Sequence, residues 1–127
     1  MTKFKELFEQ ILNEGTNATI TVLRGDTFWT SFLQYSGSKD YMIPTLKKHF
    51  QSQKEADTLV TKTGDIREIS QDGEVEYYND RKILEITKDE EKALDNVNEA
   101  HIKYFFDGTD WFFHYGTVRE FSKMKKI

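Results

Sequence analysis

A chain of 127 residues with 37% apolar content, rich in aromatics (ten Phe, six Tyr, two Trp), is long enough for one domain around one core and is neither disordered nor repetitive. Its formal charge of −4 disfavours direct nucleic-acid binding, and the absence of cysteine excludes disulfides, thiolate metal sites and a cysteine nucleophile. No apolar run approaches the roughly 20 residues that cross a bilayer, and Lys3, Lys5, Glu6 and Glu9 interrupt any secretory signal, so a soluble chain with no membrane partner is expected.

Phe4, Leu7, Phe8, Ile11 and Leu12 recur at i, i+3, i+4, i+7 and i+8, drawing one apolar stripe along a first helix. Thr2 suits its N-cap and Gly15 the left-handed position past its end. Residues 17–25, NATITVLRG, alternate and are β-branched; 27–35, TFWTSFLQY, are aromatic and extended. They read as two strands joined at Gly25-Asp26. Alternate members of Phe28, Trp29 and Phe32 are expected in the core. The stretch 36–42 reads as a loop. Ile43-Pro44-Thr45 opens a second helix, proline being tolerated in a first turn. Leu46, His49, Phe50, Gln53, Ala56 and Val60 carry it at helical spacing over 43–62, and Gly64 ends it.

Residues 64–80, GDIREISQDGEVEYYND, form a hairpin around Asp72-Gly73. A two-residue loop would separate Ile69 from Val75 and Tyr77. A three-residue loop Gln71-Asp72-Gly73, bulged and with Gly73 left-handed, puts all three on one face and is the expected form. KILEI, 82–86, reads as a further strand. Thr87 and Glu90 have the form of a capping box, which leaves 88–97 either a short helix or an acidic excursion. HIKYFFDGTDWFFHY, 101–115, is the clearest hairpin. Loops of two or four residues both place Ile102, Tyr104, Phe106, Trp111, Phe113 and Tyr115 on one face, the expected core face. His101, Lys103, Phe105, Phe112 and His114 share the other. TVREF, 117–121, reads as a last strand before a solvated tail of Lys123, Lys125 and Lys126. The fold class expected is α+β: an antiparallel sheet of about six strands built from hairpins, one main helix packed on a face, and an N-terminal amphipathic helix.

Chemistry is sparse. His49, His101 and His114 do not converge in the pattern of a zinc site, so no metal is expected. Phosphate-binding glycine loops and nucleophile elbows are absent from the sequence. Asp65, Asp80 and Arg81 flank one end of a hairpin and read first as an ion pair closing it. No catalytic residue and no cofactor are expected, and the protein is read as non-enzymatic.

The order Tyr35, Gly37, Leu46, His49-Phe50, Leu59-Val60, Gly64-Asp65-Ile66, Tyr78-Asn79-Asp80-Arg81 and Trp111 resembles a family of small uncharacterised tailed-bacteriophage proteins over roughly residues 27–114. The family's Asp-Gly-Tyr-Pro turn is missing; YSGSKDY stands in its place. This resemblance implies a phage origin and a shared fold, and no mechanism. Candidate protein-binding residues are Tyr35, Asp40, Tyr41, Asp65, Asp80 and Arg81. Leu12-Asn13-Glu14 before Gly15 is similar to the site where the prohead protease of large contractile-tailed phages cuts internal head proteins. MTKFKELFEQILNE likewise resembles the leaders that carry such proteins into the capsid scaffold. The alternative for this stretch is an ordinary helix end with a glycine cap.

These resemblances imply a leader over 1–14, cleaved between Glu14 and Gly15, and a single domain over 15–127. The implied role is an accessory protein packaged in the virion head and delivered to the host cytoplasm, where it binds a host defence protein. Its further partners would be the prohead scaffold and prohead protease. The alternative is an early-expressed acidic inhibitor of a host or CRISPR-type defence complex that is never packaged. A third reading is a small enzyme using Asp65, Asp80 and Arg81.

Overall fold

The structure, a computed structural model, describes residues 16–61, 65–78 and 84–127. Strands β1 (Ala18–Arg24) and β2 (Thr27–Leu33) pair antiparallel in unbroken register from Ala18↔Leu33 to Arg24↔Thr27, turning at Gly25-Asp26. Helices α1 (Lys39–His49) and α2 (Gln53–Asp57) lead to β3 (Ile66–Ile69), β4 (Val75–Tyr77) and β5 (Glu85–Thr87). Helix α3 (Glu90–Val97) precedes the hairpin of β6 (Ile102–Phe106) and β7 (Trp111–Tyr115). A 3₁₀ turn at Phe121–Lys123 and the short β8 (Lys125–Lys126) follow.

The expected antiparallel sheet of about six strands is corrected. Among the described residues the sheet is mixed and has eight strands, in the order β4-β3-β2-β1-β6-β7-β8, with β5 on another part of the β2 edge. At its centre β1 and β6 run parallel, Ala18↔Ile102 to Val22↔Phe106. A second parallel contact, Leu33↔Ile66, joins β2 to β3 after the helical crossover. Hairpins are written in local turns. Parallel pairs join segments far apart in the chain and leave no local signal.

The single helix expected over 43–62 is two helices. Ser52 Oγ accepts the Glu55 N–H at 3.1 Å and Glu55 Oε1 accepts the Ser52 N–H at 3.2 Å, a capping box that starts α2 afresh. Helix α1 begins at Lys39, inside the expected loop, so Pro44 sits beyond the first turn and forgoes a hydrogen bond to the Asp40 carbonyl.

The β3–β4 turn has the expected three-residue loop: Ser70 N donates to Glu74 O at 2.8 Å and Gly73 takes φ +84°. A register shift between Ile66 and Glu68 also turns Ile66 and Ile69, three positions apart, onto the same buried face.

Both faces of the sheet are covered, where one was expected. Ile20, Val22, Leu33, Ile66, Tyr104, Phe106 and Trp111 pack against Met42, Leu46, Ala56 and Leu59 of the α1–α2 layer. On the opposite face Phe105 packs with Val97 of α3, Val118 and Met124, and Phe28 stacks on Phe121 with ring centroids 4.9 Å apart. That second layer buries Phe105, and Lys103 is buried as well, both expected to lie away from the core.

TVREF is not a strand. The Asn98 side chain donates to Val118 O at 2.7 Å and accepts the Val118 N–H at 2.9 Å, taking the two groups a ladder would use. The lysines of the tail are exposed, as expected, while the backbone of Lys125–Lys126 pairs with Phe113 and Phe112 of β7 as an edge strand.

Candidate docking surface

The loop from β2 to α1 is held close to the start of β1. Gly37 N donates to Thr16 O at 3.1 Å, and the Tyr104 hydroxyl donates to Gly37 O at 2.7 Å inside the core. A Cβ at position 37 would lie 2.8 Å from the Asn17 carbonyl carbon, so the close approach requires glycine. Burial, reinforced by the nearby Asp40 carboxylate, holds the Tyr104 hydroxyl protonated well above the ordinary tyrosine range.

This loop sets the first turn of α1 beside the far ends of β6 and β7. Ile102, Phe113 and Tyr115 form the apolar wall of a groove of about 510 Å³, Lys39 and Asp40 stand on its rim, and Thr16 also lines it. Tyr115 is 65% exposed, and its ring meets the His101 ring edge-on at 4.2 Å. The last position of the expected core face is therefore surface. The strand ends run past the cover of the helical layer, so alternation places Tyr115 on the correct face but not under cover.

On the other side of the same turn, Tyr41 lies against the β3–β4 hairpin. Partial burial and the carboxylates of Glu68 and Asp72 raise its pKa, while a hydrogen bond from the Gln71 backbone pulls the other way. Tyr35 lies under the Arg67 guanidinium at 5.8 Å, and Arg67 Nη1 reaches Glu76 Oε2 at 3.0 Å. His49, a zinc candidate by residue type, hydrogen-bonds through Nε2 to Gln71 O at 2.9 Å. Its ring fills the space beside Gly73, where a Cβ would come within 2.7 Å. The C-terminal end of α1 is thereby clamped to the hairpin.

Of the six candidate protein-binding residues, the fold gathers Tyr35, Asp40 and Tyr41 around the start of α1. Asp65 is only 1% exposed, and its backbone carbonyl accepts the Tyr78 N–H at 3.0 Å. It offers no surface to a partner. Asp80 and Arg81 lie outside the described residues, as do Gly64 and the candidate cleavage pair Glu14 and Gly15. Comparisons with protein-family models, with curated proteins and with solved structures find no match.

The wall residues Ile102, Phe113 and Tyr115 were legible only as members of an alternating strand; their exposure depends on where α1 begins. Among the described residues, no three His, Cys, Asp or Glu side chains are placed to hold a metal ion, and no helix is long and apolar enough to cross a membrane. A second hollow of about 300 Å³ lies between β5 and α3, lined by Glu85, Ile86, Lys92 and Asp95. Its lining is mostly polar.

Proposed function

We propose that the protein works by binding another protein through the groove of Ile102, Phe113 and Tyr115. The observation that carries this reading is the exposed Tyr115, fixed against His101 at the mouth of an apolar wall with both charge signs on its rim. Rigid aromatic side chains beside charged groups are the chemistry of interface anchors, because a large ring is buried at small entropic cost. The sequence resemblances supply the setting. The chain is a non-enzymatic phage accessory protein, packaged in the head through its first helix and delivered to the host, where the partner is a defence protein.

Mass spectrometry of purified particles of the encoding phage tests the setting, since presence and N-terminus are read together. Peptides beginning at Gly15 are expected; absence from the particles would leave the unpackaged acidic inhibitor in its place. The groove is tested by comparing wild type with Tyr115→Glu in capture from host extract. A partner retained equally by both would overturn it.

A further inference from the structure

Strand β5 stands at an edge of the sheet. Among the described residues it pairs with β2 alone, through Phe28↔Thr87, Trp29↔Ile86 and Thr30↔Glu85. The two-residue turn at Gly25-Asp26 closes on the pair Arg24↔Thr27, so the odd-numbered residues of β2 bond to β1 and the even-numbered ones face β5. The same parity holds just past the strand, where Gln34 N donates to Ile66 O. Phe28 and Thr30 therefore exchange bonds with Thr87 and Glu85, and the N–H and C=O of Ile86 point outward from the sheet edge. We infer that this edge takes an added β-strand from another polypeptide, an extended segment with an aliphatic residue opposite Ile86 and a basic residue on either side of it.

Three observations define the occupant. The outward N–H and C=O of an edge strand are matched by an extended backbone, which supplies both partners. The Ile86 side chain is 50% exposed and stands beside Trp29 on the face of the α1–α2 layer. Among the described residues, Tyr115 is the one other large apolar side chain so exposed. An aliphatic residue paired with Ile86 shields it from water. Glu85 and Thr87 alternate onto the opposite face, where with Lys92, Asp95 and Asn96 they line the hollow between β5 and α3. That lining holds two carboxylates against one ammonium, so the neighbours of the aliphatic residue, which reach over the hollow, are Lys or Arg. A second copy of β5 does not fit this pattern. Paired antiparallel about Ile86, it adds its own Glu85 to the acidic hollow, and each copy of the chain carries a net charge of −4. The edge is distinct from the groove at Tyr115, since β2 and β1 stand between β5 and β6.

The probe is a synthetic peptide, acetyl-Thr-Lys-Val-Lys-Thr-amide, titrated into the full-length protein and followed by amide NMR. Binding is expected to shift the amides of Glu85–Thr87 most and to slow exchange of the Ile86 N–H at least tenfold. The same peptide N-methylated at its valine loses a backbone donor and should bind at least tenfold more weakly, as should a peptide with glutamates in place of the lysines. Ile86→Pro deletes the outward N–H and spares the β2 ladder, which uses Glu85 and Thr87, so it should weaken binding equally while melting close to wild type. No shift at millimolar peptide, or equal affinity for the N-methylated form, would overturn the inference. That comparison is made in wild type and decides even if Ile86→Pro does not fold. Self-association of wild type that Ile86→Lys abolishes would put a second copy on the edge in place of a foreign strand. Peptide affinity is expected to be unchanged in Tyr115→Glu; a tenfold loss there would move the peptide to the groove and reject the edge, so the two surfaces fail separately.

Discussion

At position 103, in β6, a lysine is buried. It is 1% exposed, and its Nζ donates to Ala100 O and, at 3.1 Å, to His101 O. Burial lowers its pKa below the ordinary lysine value. A neutral amine still has two N–H donors for the two carbonyls, so losing the proton breaks neither bond. The unfolded chain keeps that proton up to about pH 10.4, whereas the folded chain releases it earlier. Between the two pKa values the unfolded state binds more protons, and stability rises with pH. Wild type is therefore expected to gain stability relative to Lys103→Met as urea unfolding is followed from neutral pH toward pH 10.4; a flat difference would mean that the ammonium is solvated. Ser31 poses a simpler case. Its Oγ is buried opposite Ile20 with no hydrogen-bond partner, whereas the neighbouring Thr21 and Thr30 hydroxyls bond each other at 2.9 Å. An unsatisfied buried hydroxyl costs about 1–3 kcal/mol, so Ser31→Ala should be neutral or stabilising by up to about 1 kcal/mol in a thermal melt. A clear loss of stability would show that the hydroxyl is bonded after all.

Among the elements, α2 depends most on a few atoms. It has five residues, of which Ala56 alone is buried, and its start rests on the reciprocal Ser52–Glu55 bonds. Ser52→Ala should cost about 0.5–2 kcal/mol, read as a lowered melting temperature with faster amide exchange at Glu55. An unchanged exchange rate would show that packing, not the cap, starts this helix. The β6–β7 hairpin separates its two faces more sharply. Trp111 is buried and donates its indole N–H to Phe50 O at 2.7 Å, tying the sheet to the end of α1. Trp111→Ala should therefore cost about 3–5 kcal/mol, a large part of the stability of a domain this size. His114, on the other face, is half-buried and reaches only Thr117 O, at 3.0 Å. His114→Ala should be mild, and two variants that melt alike would contradict the assignment of the faces.

For the whole molecule, the question is how much of the fold depends on residues 1–14. Five large apolar side chains fully buried would contribute about 1.5–3 kcal/mol each, more than most small domains can lose. A leader that cleavage removes can contribute only a small part of that. A chain beginning at Gly15 is expected to remain soluble and to melt cooperatively. A loss of about 1–2 kcal/mol corresponds to roughly 4–8 °C. An insoluble or unfolded truncation would place the stripe in the core and reduce Gly15 to a helix cap.

Local chemistry alone determined much of this protein. The β1–β2 turn, the three-residue β3–β4 loop with its left-handed Gly73 and the pairing of β6 with β7 all follow from turn residues and alternation. The Ser52–Glu55 cap was equally legible as Ser-x-x-Glu, although helical spacing alone runs straight through it. Tertiary structure decided the rest. Ala18 meets Ile102 because two apolar strands share a buried centre, and no turn records it. The Asn98 amide keeps TVREF out of the sheet through a contact twenty positions away in sequence. The candidate site follows the same division. Aromatic strand residues are visible in the sequence, but Tyr115 is surface and Trp111 core only because the helical layer covers one end of a shared face and stops short of the other. Alternation assigns a side chain to a face; burial depends on what the remainder of the chain lays over it.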